Sequence, residues 1–570
     1  MFVVFEGIDG SGKTTVSNRV AERLRADGLR VEHVREGGRF ASAVTQGIRE
    51  FCRDTRNLAL GPRAEFLLYA ARDVQLLEEA LEPALSRADV VVADRFLYSA
   101  EVLARFGRGL PESNVRPVLE AAADGVEPDL VFLIDVDPSV ARGRRKITKI
   151  LTGDTRPPSR KGLTGSGMQV RLRNGYRELA ARDPQRWIVV DNNDQDLAVV
   201  INHILAIVRT ARAQGVAAAV AHAHLTGLRS PTAPASAATP KDALAAFLEW
   251  VDHRAVREPQ LAAYVLAGLS GHDIDDRRIA LAQSAPHVIA RGLRGLSDAV
   301  SWDLRRRLCD TAPQGVALSL EEEAAEATEA WRLRAVLADL VPIEVALSLE
   351  GLDDDEAWAM RAQLYPQAPD AVMASLALLD VPRAWAMRER WLAERNLDTD
   401  IVWPAAYELS RVVARSITGL DGDRAWSLRK AARAAAPVAA IVSLKGLHSD
   451  RAWRWRERYL ARAPKPVFAT LAGFDDMRAW TMRQALVARC REALDGIIGM
   501  DHPIAWEIRE ASLDAWPSTV VKSLGVLVSG TRGDDMLRRA LAAHPENISL
   551  LKHSAAIATG GHLTPHVMAA

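Results

Sequence analysis

The fold of the first part of the chain is decided by the stretch Phe2-Val3-Val4-Phe5-Glu6-Gly7-Ile8-Asp9-Gly10-Ser11-Gly12-Lys13-Thr14. Residues 2–6 are mostly apolar and too short for a helix, so they predict a buried strand. Residues 7–14 match the pattern G-x-x-x-x-G-K-[ST] without a mismatch, and a helical pattern begins at Thr14. A strand, a glycine-rich loop and a helix in this order predict backbone N–H groups that surround phosphate at a helix N-terminus. The stretch therefore predicts a nucleoside-triphosphate site, without specifying a reaction.

The same loop supplies the predicted ligands of ATP and Mg²⁺. Lys13 would bridge the terminal phosphates, and the Thr14 hydroxyl would hold magnesium. The predicted ATP-binding residues are Gly7, Asp9, Gly10, Ser11, Gly12, Lys13, Thr14 and Thr15. Asp94-Arg95 follows the apolar run Val90-Val91-Val92-Ala93 and offers a second metal ligand and an arginine for an acceptor phosphate. The alternative is a salt bridge that caps the strand.

Beyond this loop, short apolar runs alternate with longer amphipathic stretches up to about residue 212. The predicted strands are residues 2–6, 31–34, 90–94, 130–136 and 187–191. Strand–helix alternation predicts an α/β domain of the phosphate-loop NTPase class, with a parallel five-stranded sheet covered by helices on both faces. Ligands in such sheets lie at the carboxyl ends of the strands.

A basic stretch with glycines and prolines separates the fourth strand from the helix predicted at residues 170–182. Its basic residues are Arg142, Arg144, Arg145, Lys146, Arg156, Arg160 and Lys161. Phosphoryl transfer depends mainly on charge neutralisation, so we predict a lid that brings cations to the phosphates. The alternative is a solvated basic loop.

Composition limits what the whole chain can do. Lys+Arg and Asp+Glu are both 73, so the net charge is zero, which argues against nucleic-acid or membrane binding by bulk charge. Three widely spaced cysteines and the absence of a membrane-length apolar run predict a soluble protein of a reducing compartment, the cytoplasm. A Pro- and Ala-rich stretch predicts three parts: a domain at 1–212, a linker at 213–240 and a helical repeat domain at 241–560.

The repeats are marked by tryptophans that are each followed three residues later by arginine. The tryptophans are at positions 302, 331, 358, 385, 426, 453, 480 and 506. Most intervals are close to 27 residues, and the 41-residue interval fits one period plus a 14-residue insertion around Trp403. Arg278 keeps the phase one period earlier, with Asp275 in place of tryptophan, which predicts a degenerate first copy. Two short helices per period predict an all-α, HEAT-like solenoid.

The tryptophans and arginines have two interpretations. In the structural one, they fill the space between stacked helix pairs. Acidic residues three to five positions before a tryptophan would then accept from an arginine of a neighbouring repeat and form a buried ladder. They are Asp298, Asp355, Asp423, Asp450, Asp476 and Asp501. The alternative is an aromatic–arginine surface for nucleic acid, against which the zero net charge argues.

Residues 1 to about 210 resemble the bacterial thymidylate kinase family. The similarity is carried by Phe5 to Thr15, Arg35-Glu36-Gly37-Gly38, Glu65 to Arg72, Asp94-Arg95-Phe96, Leu133 to Pro138 and Gly175 to Ala180. The resemblance implies a nucleoside monophosphate kinase that transfers the ATP γ-phosphoryl group, with dTMP converted to dTDP. It also implies a homodimer through this domain.

The resemblance implies roles for individual residues. Lys13, Asp94, Arg95, Arg156 and Arg160 would be catalytic, the last two because a family member with glycine at position 10 takes its arginines from the lid. Asp9 would lie near the acceptor sugar and phosphate, Arg95 would hold that phosphate, and Arg72 would face the base. The predicted acceptor-binding residues are Asp9, Glu36, Leu68, Tyr69, Arg72, Arg95 and Ser99.

Three departures from the family pattern affect the acceptor pocket. Arg35-Glu36-Gly37-Gly38 lacks the family's proline, and the stacking aromatic is replaced by Leu68, with Tyr69 one position away. The base-contacting glutamine after Asp94-Arg95 is also missing. Two alternatives therefore accompany the dTMP kinase prediction: a kinase of a modified nucleotide or another phosphate ester, and a nucleotide-dependent switch whose repeats bind a protein partner.

Overall fold

In a computed structural model, the structure describes residues 1–35, 42–154, 159–165, 167–227, 239–320, 328–397, 407–545 and 547–559. The chain divides into two compact units. The first is formed by residues 1–145, 158–162 and 166–233, and the second by residues 146–157, 163–165 and 234–570. The domain boundaries at residues 212 and 240 remain a prediction from composition.

The first unit is built on five parallel strands, which confirms the predicted sheet. The strands are β1 (Phe2–Glu6), β2 (Val31–Arg35), β3 (Val90–Asp94), β4 (Leu130–Asp135) and β5 (Trp187–Asp191). Their order is β2-β3-β1-β4-β5, and Val4 of the central strand pairs with Ala93 on one side and Val131 on the other. The carboxyl ends of β1 and β3 are therefore adjacent, which brings the loop after Glu6 next to Asp94.

Helices lie on both faces of this sheet. They are α1 (Lys13–Ala26), α2 (Ala43–Arg53), α3 (Pro62–Leu76), α4 (Glu82–Arg87), α5 (Leu97–Val102), α6 (Glu112–Ala123), α7 (Pro138–Thr152), α8 (Gly167–Arg182), α9 (Leu197–Gln214) and α10 (Val216–Thr226). Single π-helical turns, Leu77–Leu81 and Leu103–Gly107, extend α3 and α5, and a 3-10 turn covers Arg160–Thr164. The core joins Phe5 and Phe132 of the sheet to Val16 of α1 and Ile204 of α9, because both helices turn an apolar face inward.

Part of the segment predicted as a linker is helical. Helix α10 occupies residues 216–226, and its Ala219 and Val220 join the same core as the sheet. Residues 228–238 lie outside the described residues. Across the described parts of the chain, none of the helices combines the length and apolarity needed to span a membrane.

The second unit contains pairs of short helices, as the 27-residue period predicts. The first helices of the pairs are α13 (His272–Leu281), α15 (Ala299–Leu308), α17 (Thr328–Leu337), α19 (Asp355–Leu364), α21 (Pro382–Ala393), α23 (Asp423–Arg433), α25 (Asp450–Leu460), α27 (Met477–Leu486), α29 (Pro503–Ser512) and α31 (Thr531–Ala543). The second helices are α14 (Pro286–Gly292), α16 (Pro313–Ser319), α18 (Pro342–Leu347), α20 (Pro369–Ala374), α22 (Tyr407–Ser416), α24 (Pro437–Val442), α26 (Pro464–Ala469), α28 (Glu492–Asp495), α30 (Pro517–Leu524) and α32 (Ile548–Ala558). Two further helices, α11 (Pro240–Arg257) and α12 (Pro259–Val265), precede them. Proline recurs at the start of the second helices because its missing N–H and fixed φ suit the first helical position.

Each Trp/Arg pair of the repeats is a structural element, which supports the first interpretation of the pattern. In one copy, Arg456 is fully buried and donates from Nε to Thr470 Oγ1 at 2.9 Å. Its Nη1 and Nη2 donate to the carbonyl oxygens of Leu447 and Leu444 at 2.7 and 2.8 Å, and its guanidinium lies 4.9 Å from the centre of the Trp453 ring. The arginine thus joins three successive helices of the stack.

The irregular copies follow the same rule. Arg278 is buried and donates to Leu269 O at 2.6 Å, with Asp275 as its partner at the tryptophan position, which confirms the degenerate first copy. Arg388 reaches Ser416 O, 28 residues further along the chain, whereas six other arginines reach a serine or threonine 14 positions on and Arg483 reaches Gly496 O, 13 positions on. The 14-residue insertion therefore lies between α21 and α22; Trp403 itself is outside the described residues.

The prediction of a buried acidic ladder is wrong in its location. The buried arginines that follow the tryptophans bind carbonyl and hydroxyl oxygens instead, and three of the acidic residues pair with arginines of the next repeat on the surface. These exposed pairs are Asp355–Arg383, Asp423–Arg451 and Asp450–Arg478. Two others, Asp298 and Asp476, cap helix N-termini, and Asp501 accepts from Trp506 Nε1 at 2.7 Å.

The repeat array closes on itself, which the sequence does not predict. Second helices of successive repeats pack side by side, and the last, α32, packs along α11 at the other end of the array. Lys552 Nζ donates to Ala267 O at 2.9 Å across 285 positions of sequence. The closing contact removes the two exposed ends that an open solenoid must cap.

Candidate active site

The phosphate loop, residues 7–14, joins β1 to α1 and has the backbone that phosphate binding needs. Gly7 and Gly12 have φ of 147° and 92°. A Cβ on Gly7 would lie 2.6 Å from Ile134 O, and one on Gly12 would lie 2.8 Å from Asn192 Nδ2. Only glycine combines these positive φ values with such close neighbours, so the loop keeps its curvature.

Lys13 lies at the centre of the loop. It is 6% exposed and its Nζ donates to Ile8 O at 3.2 Å. Burial lowers the pKa of Lys13 to about 8, and the positive charge of Arg95 adds to the effect. The ammonium group thus has one weak neutral partner and a large desolvation cost, which a polyphosphate would offset.

Asp94 and Thr14 meet where β3 ends beside α1. Thr14 Oγ1 donates to Asp94 Oδ2 at 2.6 Å. Asp94 Oδ1 and the Oγ of Ser11 are buried and have no hydrogen-bond partner among the described residues. Orphaned buried oxygens are costly, so they indicate that a ligand completes this site. A carboxylate beside a hydroxyl suits Mg²⁺, which is held by one or two protein oxygens together with nucleotide phosphates and water.

Arg95 follows Asp94 and lies against the phosphate loop. Its Nη2 donates to Asp9 Oδ1 at 2.6 Å, and its Nη1 donates to Ser99 Oγ at 2.8 Å and to Tyr176 OH at 3.3 Å. Its φ of 86° is unusual for a residue other than glycine, and such strain is concentrated at functional sites. The guanidinium is therefore fixed beside the loop that would hold the triphosphate.

Glu6 is a buried neighbour of Arg95 and holds the groups around it in place. It is fully buried, with Oε1 accepting from Phe96 N at 3.0 Å and Oε2 accepting from Ser99 Oγ at 2.7 Å. Burial raises the pKa of Glu6, against the opposing charge of Arg95, whose Nη1 lies 3.9 Å from Oε2. Glu6 and Tyr176 thus position Ser99 and Arg95.

The predicted base-facing residues lie on α3. Arg72 is buried, donates from Nε to Asp73 Oδ1 at 2.8 Å, and lies 4.7 Å from the centre of the Tyr69 ring. The aromatic ring beside this arginine thus belongs to Tyr69, while Leu68 is a half-buried neighbour without a π-face. A pocket extends from Arg72 to Asp94 and Arg95 of the phosphate site; its lining is Val34, Arg72, Asp73, Leu76, Leu77, Leu81, Ala93, Asp94, Arg95, Phe96 and Leu97.

The lid residues are only partly described. Glu36 and Arg156 lie outside the described residues. Arg160 is buried and donates to the carbonyl oxygens of Cys52 and Leu60 at 3.1 and 2.9 Å, away from the loop. The next residue, Lys161, places its Nζ 3.0 Å from Asp9 Oδ2. The catalytic role of Arg156 and Arg160 stays a prediction.

Several residues of this site were not predicted individually from the sequence. Glu6, Tyr176 and Asn192 contact it, as does Lys161, which was predicted only as one of seven basic residues of the lid stretch, and Asn192 Nδ2 donates to Ser11 O at 2.7 Å. Glu6 ends β1 and Asn192 directly follows β5. Polar side chains at the carboxyl ends of buried strands are a usable signal, the same one that found Asp94. Tyr176 and Lys161 carry no such signal, because each reaches the site from a distant part of the chain.

A parallel sheet, a phosphate loop and an arginine on the neighbouring strand end define a phosphate-loop kinase that acts on a nucleotide. Comparison with known proteins agrees. Residues 5–204 match the family model described as thymidylate kinase. The chain is 37% identical to a thymidylate kinase of Trichlorobacter lovleyi over 201 residues, which is 92% of that protein and 35% of this chain. It is 40% identical over 179 residues to a thymidylate kinase of Finegoldia magna, covering 84% of that protein and 31% of this chain.

The chain therefore belongs to the thymidylate kinase family and is a nucleoside monophosphate kinase. The family match ends at residue 204, so the family accounts for the sheet and its phosphate site. The helical repeats lie beyond the matched residues.

Proposed function

We propose that this chain transfers the γ-phosphoryl group of ATP to dTMP and forms dTDP and ADP. The observation that carries the proposal is Asp9 of the phosphate loop in contact with Arg95 at 2.6 Å. That contact sets the donor loop and the arginine that would receive an acceptor phosphate side by side, as in-line transfer between two phosphates requires.

Each residue of the site has a task in this reaction. The loop N–H groups and Lys13 hold the triphosphate and neutralise it. Arg95 grips the acceptor phosphate through its paired N–H groups, and Glu6 and Ser99 keep it oriented. Asp94 and Thr14 would hold Mg²⁺, which supplies charge neutralisation between the phosphates when it is bound. A buried, preorganised site lowers the barrier because its charges need no reorganisation.

The acceptor pocket supports a nucleoside monophosphate but leaves its base open. Tyr69 would supply the π-face that Leu68 lacks, and Arg72, which lies 4.7 Å from the centre of the Tyr69 ring and lines the pocket, would face the base. The neighbouring Asp73 also lines the pocket and accepts from Arg72. We take dTMP as the acceptor because the relatives from Trichlorobacter lovleyi and Finegoldia magna are thymidylate kinases and 84–92% of their length is covered.

An acceptor panel tests the proposal. The full chain is incubated with ATP and Mg²⁺ plus dTMP, dUMP, dCMP, dAMP or dGMP, and ADP is followed by a coupled assay while products are separated by anion exchange. We expect the highest kcat/KM with dTMP and loss of turnover with EDTA. A stronger response to another monophosphate would refute dTMP, and ATP binding without acceptor-stimulated ADP formation would favour a nucleotide switch. A protein partner on the repeats and a homodimer remain predictions.

A further inference from the structure

Two adjacent basic residues of the 3-10 turn at 160–164 have opposite surroundings. Arg160 is 7% exposed, forms an ion pair with Glu65 and donates to two main-chain carbonyls near α2 and α3. Lys161 turns the other way, to the phosphate loop, with 23% of its side chain exposed. One of the pair is held inside the fold, and its neighbour reaches the reaction site.

Arg160 is tied down by several groups at once. Glu65 is itself 2% exposed and also accepts from Arg108 Nε at 2.6 Å. Swinging Arg160 toward bound phosphate would take these donors away from the carbonyl oxygens of Cys52 and Leu60 and would separate the buried ion pair with Glu65, which is unfavourable inside the fold. Arg160 therefore has a structural reason to stay where it is.

Lys161 has a partner that it can exchange. Its Nζ lies 3.0 Å from Asp9 Oδ2, while Oδ1 of the same carboxylate accepts from Arg95. Asp9 thus joins a cation from the acceptor side and a cation from the lid, and both hold its pKa well below the usual range. A polyphosphate brings several negative charges to this point, so it competes for Lys161 while Arg95 still stabilises Asp9.

We propose that Lys161 is a catalytic residue which leaves Asp9 for the γ-phosphoryl oxygens of bound ATP, and that Arg160 is the positioning residue which anchors its segment. The assignment rests on the proposed function. An oxygen of the acceptor phosphate dianion attacks the γ-phosphorus, the bond from that phosphorus to the β,γ-bridging oxygen breaks, and ADP leaves with the electron pair. Lys161 neutralises charge on the equatorial oxygens and transfers no proton.

Steady-state kinetics of Lys161→Met, Lys161→Arg and Arg160→Met in the full chain test this division. We expect Lys161→Met to lower kcat about 10²-fold, the effect of removing one transition-state charge partner, with KM for the acceptor nearly unchanged. Lys161→Arg should recover a large part of kcat. Arg160→Met should lower the melting temperature and raise both KM values, because the whole turn loosens. Lys430→Met on the exposed face of α23 is the matched control.

A binding measurement keeps the assignment testable whether or not the acceptor is dTMP. Calorimetry with β,γ-imido-ATP and with ADP isolates the contribution of the γ-phosphate. Lys161→Met should weaken β,γ-imido-ATP several-fold and leave ADP unchanged. Absence of acceptor-stimulated turnover in the wild-type protein would refute the proposed function. The Lys161 assignment would then be judged only by whether Lys161→Met weakens the binding of β,γ-imido-ATP but not of ADP. Equal Kd values for wild type and Lys161→Met with both ligands, or kcat within twofold of wild type, would overturn it.

Discussion

Arg95 of the phosphate site and Arg456 of the repeats are both guanidinium groups inside the protein, but their surroundings differ in kind. Arg95 contacts the carboxylate of Asp9 and keeps 23% of its side chain exposed. Arg456 is fully buried and contacts neutral carbonyl and hydroxyl oxygens and the face of Trp453. The first is held where a ligand can reach it, and the second is enclosed.

This difference in surroundings distinguishes a ligand-binding arginine from one that holds the repeat helices together, which we call a joint. Burial lowers the pKa of Arg456 to about 10, so it stays charged at neutral pH, and its Nε, Nη1 and Nη2 all donate to oxygens of the stack. In the phosphate site, by contrast, Asp94 Oδ1 and Ser11 Oγ have no partner among the described residues. The unpartnered oxygens lie beside the phosphate loop, where a ligand could reach them, whereas the unpaired nitrogens of the repeat arginines, such as Arg361 Nη1 and Arg429 Nη1, are enclosed in the helix stack.

The largest expected effect comes from removing the central cation of the phosphate loop. Lys13→Ala should lower kcat about 10²–10³-fold, because a charge aimed at the transferring phosphate is lost. The coupled ADP assay measures it. Lys430→Ala serves as the control. Near-normal turnover of Lys13→Ala would contradict the interpretation of the phosphate loop as a binding site that differs in kind from the repeats.

The second effect concerns stability. Arg456→Met removes the donor to Thr470 Oγ1 and to two buried carbonyls, so we expect a loss of about 2–4 kcal/mol in the unfolding free energy of the repeats. Urea unfolding followed by circular dichroism measures it. Arg454→Met, on the exposed side of the same helix, should change little. Equal effects of the two variants would mean that the buried arginine is not a joint.

A third prediction uses the pKa of Lys13, which is about 8 in the free protein. Bound polyphosphate favours the charged amine and raises that pKa, so binding above pH 8 must take up a proton. The Kd for ATP should be level below about pH 7 and weaken up to tenfold per pH unit above 8. Calorimetry in two buffers of different ionisation enthalpy reports the proton uptake, and an unchanged Kd up to pH 9.5 would contradict it.

The smallest effect is expected on the surface of the repeats. Asp423 pairs with Arg451 at 2.6 Å in solvent, and this arginine lowers the pKa of Asp423. Asp423→Asn should lower the urea midpoint far less than Arg456→Met does, and 1 M salt should remove the difference from wild type. The exposed Asp339→Asn is the control. A salt-independent loss as large as that of Arg456→Met would show that the surface pairs, too, act as joints.

Much of the fold was predictable because its signals are local. The five strands, the glycine loop and the 27-residue period all appear as short-range patterns, and even the degenerate copy at Arg278 keeps its phase. In the site, Lys13, Thr14, Asp94 and Arg95 follow from one motif and one strand end. The contacts made by residues from elsewhere in the chain do not follow from a local pattern. Tyr176 contacts Arg95 across 81 positions, and Lys161 contacts Asp9 across 152.

By itself the sequence determined which residues form strands, helices and the phosphate loop, because backbone preferences and apolar periodicity act over a few residues. Tertiary structure alone decided which of two neighbouring lid cations reaches Asp9, since Arg160 is fixed by the Glu65 carboxylate and by two carbonyl groups, all about 100 positions away. It also decided that the repeats close, through the packing of α11 on α32. Both outcomes depend on small rotations between packed helices that add up along the chain and on contacts between residues far apart in the sequence. No local sequence pattern encodes either of them.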